Sequence, residues 1–246
     1  MSLEVLVFLA AGALAGGFIN GLAGFGTALF ALGWWLQIMP PVEAVAMSVV
    51  LSVASGVQGM ILVWRTIDWR RLMRFLLPAL FGIPIGIELL RDFDPFYLKM
   101  LVAGFLLLYG GFFVFRRELP NIQRATPGTD VGVGFASGVL ASFAGLSGAL
   151  PTMWCAMRDW PKAVTRAVLQ PFNFFVLTLS ALLFAYNGAY DGTVLFNLAV
   201  SIPLALVAAK AGIIVFKRLS DATFRRLLII LMFASGVLLI VREALV

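Results

Sequence analysis

Two glycine-rich clusters, Gly21-Leu22-Ala23-Gly24-Phe25-Gly26 and Gly145-Leu146-Ser147-Gly148, interrupt runs that are otherwise apolar. Glycine costs roughly 1 kcal/mol per residue in a helix relative to alanine. The clusters therefore predict helix breaks, with close helix packing through small residues as the other reading. A helix that restarts inside an apolar run exposes unpaired backbone N–H groups and the positive end of its dipole, and that end attracts anions. The restarts are expected near Gly26 and Thr27 and near Ser147, with Pro151 suited to a first turn and Thr152 adding a hydroxyl. Two such ends arriving from opposite sides would form a small, dehydrated anion pocket.

Polar residues inside the apolar runs extend this set, because each needs a partner or water in a bilayer. Ser48, Ser52 and Ser55 fall on one face of a helix, as do Gln170 and Asn173. They line either a path or an ordinary packing seam. Asn20 and Ser142 sit beside the breaks, placed to cap backbone or to touch a ligand. Arg166, one turn from a loop, reads first as a side chain snorkelling to the surface and second as an attractor of anions at the mouth. Lys210 is near enough to its helix end to snorkel as well, and Glu88 pairs most simply with Arg91. The expected anion-binding set is Asn20, Gly21, Gly24, Phe25, Gly26 and Thr27 from the first cluster and Ser142, Gly145, Ser147, Gly148 and Thr152 from the second. Arg166, Gln170 and Asn173 complete it.

Other chemistries find little support. Histidine is absent and Cys155 is the single cysteine, so no metal site, disulfide or histidine base is expected. Gly145-Leu146-Ser147-Gly148 also spells the G-x-S-G of serine nucleophiles, but a nucleophile needs a base, and only Lys210 offers one. No nucleotide-binding motif is present. The expectation is a protein that is not an enzyme and carries no cofactor.

The elements that must hold these residues are transmembrane. The chain has 246 residues, 62% hydrophobic and 12% charged, with a mean hydropathy of +1.02, too few charges to clothe a soluble domain. The net charge of +6 belongs to short loops and suggests orientation rather than nucleic acid. No positive n-region precedes the first apolar stretch, so a cleaved signal peptide is not expected. Eight apolar runs stand out, at approximately 3–38, 42–64, 72–90, 97–115, 131–157, 163–187, 193–216 and 224–241.

If all eight crossed, the basic loops would alternate between sides. If the first and fifth runs are re-entrant hairpins, the loops carrying Arg65 to Arg74, Arg116 to Arg124, Arg158 to Arg166 and Lys217 to Arg226 fall on one side, satisfying the positive-inside rule. The arms 131–143 and 149–157 would be only about 20 and 14 Å long, short of a core of about 30 Å. The expected fold is an all-α polytopic membrane protein of two inverted repeats, each a glycine-broken hairpin plus three transmembrane helices. The repeats are assigned to 1–116 and 131–246, with a cytoplasmic linker at 117–130. Gly86 pairs with Gly212, Gly110 with Gly236 and Lys99 with Arg225 at nearly the separation of the two motifs. Inverted repeats with broken helices are a recurrent plan of secondary transporters.

On these residues, G-L-A-G-F-G in one half and G-L-S-G in the other, the chain resembles the TauE/SafE sulfite exporter family over nearly its whole length. The resemblance implies movement of sulfite, organosulfonates or related small anions across the cell's inner membrane; the inverted charge pattern and paired helix breaks point to alternating access between the two halves as the means. The partners expected are that anion and the bilayer, with a coupling proton or cation and a homodimer left open, and no nucleic acid. A passive anion channel and a non-transporting membrane subunit are the alternatives.

Overall fold

The computed structural model describes residues 3–92, 127–157 and 160–224, with scattered positions in 97–111 and 226–241. Its helices are α1 (Leu3–Ala23), α2 (Thr27–Trp35), α3 (Pro41–Val63, ending in a 3-10 turn at Trp64–Thr66), α4 (Trp69–Arg91), α5 (Pro127–Ala144), α6 (Ala149–Ala156), α7 (Lys162–Tyr186) and α8 (Gly192–Arg218). Among the described residues, five helices are long and apolar enough to cross a membrane: Leu3–Ala23, Pro41–Thr66, Trp69–Arg91, Lys162–Tyr186 and Gly192–Arg218. Outward-facing Phe81 and Val207 are more than two-thirds exposed, as a lipid-facing surface requires.

Asp68 begins α4 by accepting the Arg71 N–H at 3.1 Å, and Asp191 begins α8 by accepting that of Val194 at 2.8 Å. Both are side-chain N-caps that satisfy otherwise unpaired donors. Each of these helices then lies against the leading arm of a hairpin, and small residues set the spacing. A Cβ on Gly17 would meet the Ala205 carbonyl and one on Gly21 that of Ala209, so α1 and α8 run in the same direction with their backbones touching. On the other pair, Gly134 faces Phe75 and Gly138 faces Ala79. The match extends to atom types. Gly212 abuts Phe18 O, Leu22 N and Gly21 C, and Gly82 abuts Phe135 O, Val139 N and Gly138 C.

Each leading arm is followed by a short helix that doubles back. Trp35 on α2 donates to the Leu9 carbonyl at 3.4 Å, and Trp154 on α6 donates to Asp130 Oδ1 at 2.7 Å. Trp35 is fully buried, and its indole locks the hairpin.

Contacts also fix which ends lie together. At one face Arg71 stacks on Trp160, 4.5 Å from the ring centroid, and Lys162 donates to the Phe216 and Leu219 carbonyls. At the other, Arg91 reaches Asn187 at 2.5 Å and Tyr190 donates to the Ala46 carbonyl at 3.4 Å. The basic stretches around Arg71, Lys162 and Lys217 therefore share one face.

Two expectations need correction. The leading arm of the second hairpin is not short: α5 has 18 residues, beginning at Pro127 rather than 131, about 27 Å at 1.5 Å per residue, close to the roughly 30 Å of the 21-residue α1. Chain reversal, not shortness, defines the hairpins, since by residue register α1 ends about 10 Å before α8 does. The second correction is that Gly82, not Gly86, occupies the position equivalent to Gly212. Lys99, Gly110, Arg116, Arg117, Arg124, Arg158, Arg225 and Gly236 lie outside the described residues.

Candidate functional site

Both leading helices end in the same way. Gly24 (φ 84°) and Gly145 (φ 68°) adopt the left-handed conformation, which glycine enters without the Cβ clash that other L-residues suffer. Their N–H groups cap the preceding turn, bonding Asn20 O at 2.7 Å and Ala141 O at 2.9 Å. Gly26, at φ 96°, is the N-cap of α2, and α6 restarts at Ala149. The first restart falls where it is expected, at Gly26 and Thr27, and the second, expected near Ser147, begins two residues on at Ala149.

The two breaks touch. A Cβ on Gly148 would lie 2.5 Å from the Phe25 Cβ, and one on Gly145 would lie 2.6 Å from the Ala28 Cβ. A single amide spans them: Asn173 Nδ2 donates to the Gly24 carbonyl at 2.8 Å, and Asn173 Oδ1 accepts the Ser147 hydroxyl at 2.5 Å. Asn20 secures the first hairpin to α3, donating to Ser52 O at 2.8 Å and Ser55 Oγ at 2.7 Å. Ser142 secures the second to α7 through Ser180, 2.9 Å away. The N-termini of α2 and α6 thus begin at one buried junction, where their dipoles favour negative charge.

Along α7, Arg166, Gln170 and Asn173 share one face. Arg166 is buried rather than snorkelled. It donates to the Gly21 carbonyl at 2.7 Å and the Leu22 carbonyl at 3.1 Å, and its guanidinium carbon stands 4.2 Å from the centroid of the Phe216 ring. The carbonyls left unpaired at the end of α1 supply its hydrogen-bond partners. Gln170 donates to the Gly56 carbonyl at 3.1 Å. Among the described residues, Thr27 Oγ1, Thr152 Oγ1, Gln170 Oε1 and the Arg166 Nε have no hydrogen-bond partner, a costly arrangement for buried groups that a polar occupant would relieve.

Most of the expected set is therefore brought together, from Asn20 to Thr27 and from Ser142 to Gly148, with Gln170 and Asn173 between. Ser48, Ser52 and Ser55 do share a face, but each hydroxyl also donates to its own helix backbone, which weights them towards packing. Lys210 is exposed, and Glu88 pairs with Arg91 at 3.1 Å. Sequence reasoning missed Gly59, where a Cβ would collide with Gln170 Oε1. Its signal was available, since Gly59 continues the small-residue stripe of Ser48, Ser52 and Ser55. It also missed Phe216. On the opposite face, a cavity of about 270 Å³ is lined in part by Glu43, Arg91, Asn187 and Asp191.

Comparison with known proteins places this architecture. The model of the sulfite exporter TauE/SafE family matches residues 8–239. A curated relative, the probable sulfite/organosulfonate exporter TauE of Cupriavidus necator (strain H16), is 26% identical over 217 residues, covering 86% of this chain and 84% of the relative. The chain belongs to the TauE/SafE family, a family of membrane transporters.

Proposed function

We propose, from that membership, that this protein is a secondary transporter of sulfite, organosulfonates or closely related sulfur oxyanions, working by alternating access. The observation that carries the reading is the junction of two broken helices, closed by the Asn173 amide between the Gly24 carbonyl and the Ser147 hydroxyl. An oxyanion seated there would take N–H groups from the starts of α2 and α6. Thr27 and Thr152 would add hydroxyls, and the orphaned polar atoms nearby would be satisfied. The junction residues are buried, as in an occluded state between two access states.

Alternating access draws on two halves of opposite orientation. The matched atomic contacts of α1 with α8 and of α5 with α4 support an inverted duplication of 1–116 and 131–246 about a linker at 117–130. So does the fact that α8 starts beside Asn187, where α4 ends. In that reading the hairpins enter from opposite faces and rock against a shared site. The chain sits in the inner membrane with its basic face in the cytoplasm.

The test is uptake of labelled sulfite and of a small alkyl sulfonate by proteoliposomes, with and without a pH gradient. Saturable flux, lost in Gly148→Val, is expected. A gradient effect would identify proton coupling, whereas unsaturable flux would indicate a passive channel. Folded protein that moves neither anion would overturn the assignment.

A further inference from the structure

Resting on the transport reading above, we propose that the α7 face bearing Lys162, Arg166, Gln170 and Asn173 is the anion's route between the basic face and the junction, and that Arg166 is its gate. The four positions follow helical spacing and descend from the mouth to the break. Lys162 lies 5.1 Å from the centroid of the Phe216 ring, and Arg166 lies 4.2 Å from the same centroid. One aromatic ring thus holds two cations, and neither forms an ion pair with a carboxylate among the described residues. A positive funnel of this kind concentrates anions. One turn deeper, Gln170 touches Gly24, since a Cβ there would lie 2.8 Å from Gln170 Oε1. Asn173 then completes the descent at the junction itself.

Arg166 blocks this route as it stands. It is 1% exposed, and its two terminal nitrogens are committed to the carbonyls of Gly21 and Leu22. The Nε–H is left without a partner. A guanidinium held by carbonyl dipoles and an aromatic face has no anion to pair with, so an arriving oxyanion is the stronger partner and draws it off the end of α1. Release of Arg166 frees α1 from α7 at that level, which couples anion arrival to movement of the first hairpin. Phe216, held by the same guanidinium, moves with it.

The test uses proteoliposomes of known orientation and an alkyl sulfonate presented to one face at a time. For Arg166→Gln, an increase in KM of about tenfold or more is expected for substrate at the basic face, the scale of a lost charged hydrogen bond, with the KM at the other face changed less than about twofold. Arg166→Lys restores most of the basic-face affinity. Equal changes at both faces mean that Arg166 only buttresses α1 and overturn the gate. Absence of flux in the wild type overturns the transport reading together with it. Should Arg166→Gln fail to fold, Gln170→Cys in a Cys155→Ser background decides with Arg166 intact. From the basic face, an anionic thiosulfonate reagent is then expected to label position 170 at least about tenfold faster than a cationic one. Equal rates overturn the route.

Discussion

Asn173 joins two loops that approach from different parts of the chain, and its removal strands a carbonyl and a hydroxyl at once. Asn173→Ala is expected to lower stability by about 1–3 kcal/mol for the groups left unsatisfied and to abolish sulfonate flux. Thermal unfolding in detergent and proteoliposome uptake measure the two effects, and unchanged flux would remove Asn173 from the site. Gly24→Ala places a Cβ in left-handed backbone and against Gln170. A loss of about 1–2 kcal/mol is expected from the conformation alone, read as a lower unfolding temperature. Spacing on α7 was enough to place Gln170 and Asn173 on one face. It was not enough for Arg166, because a residue one turn from a loop can turn either way. The deciding partners, the carbonyls of Gly21 and Leu22, are remote in sequence.

Helix pairs in this protein touch backbone to backbone, so the small residues on them act as spacers. Gly21→Ala and Gly138→Ala each drive a methyl group into a carbonyl of the adjoining helix and are expected to cost about 1–3 kcal/mol as overpacking. Gly132→Ala, with nothing within 4 Å of the new carbon, should be neutral or slightly stabilising. A thermal-shift series in one detergent compares the three, and equal behaviour would show that these seams tolerate separation. The helix breaks were legible because glycine clusters in apolar runs have few other uses. Their register was not. The first helix ends at the last glycine of G-L-A-G, Gly24, and the second at the first glycine of G-L-S-G, Gly145. These breaks are 121 residues apart, whereas Gly82 and Gly212 are 130 apart, so no single spacing aligns both the breaks and their companion helices, and a spacing of 126 selects Gly86 in place of Gly82. The length of the second arm is not legible because Asp130 reads as part of a polar linker, whereas the bond from Trp154 holds it inside α5.

Across the whole molecule, the clustering of positive loops was readable from composition, since sorting of lysine and arginine by side is a property of the chain rather than of any contact. Cysteines introduced one at a time into a Cys155→Ser background should label accordingly. Arg65→Cys and Arg218→Cys are expected to react with an impermeant maleimide from the same side, and Asn187→Cys from the opposite one. Co-labelling of all three from one side would dismantle the arrangement. The meeting of hairpin tips bears on energetics too. Each leading arm runs most of the way along its companion before turning, so the ends pass one another in depth. Once a water-filled path opens to the junction, the remaining insulation is only the thickness of the closed side. Nearly all of the membrane voltage then drops across that thin septum. A monovalent passenger would collect close to the full electrical work, about 2.3 kcal/mol per 100 mV, in a single short displacement, and the turnover rate would follow membrane potential steeply.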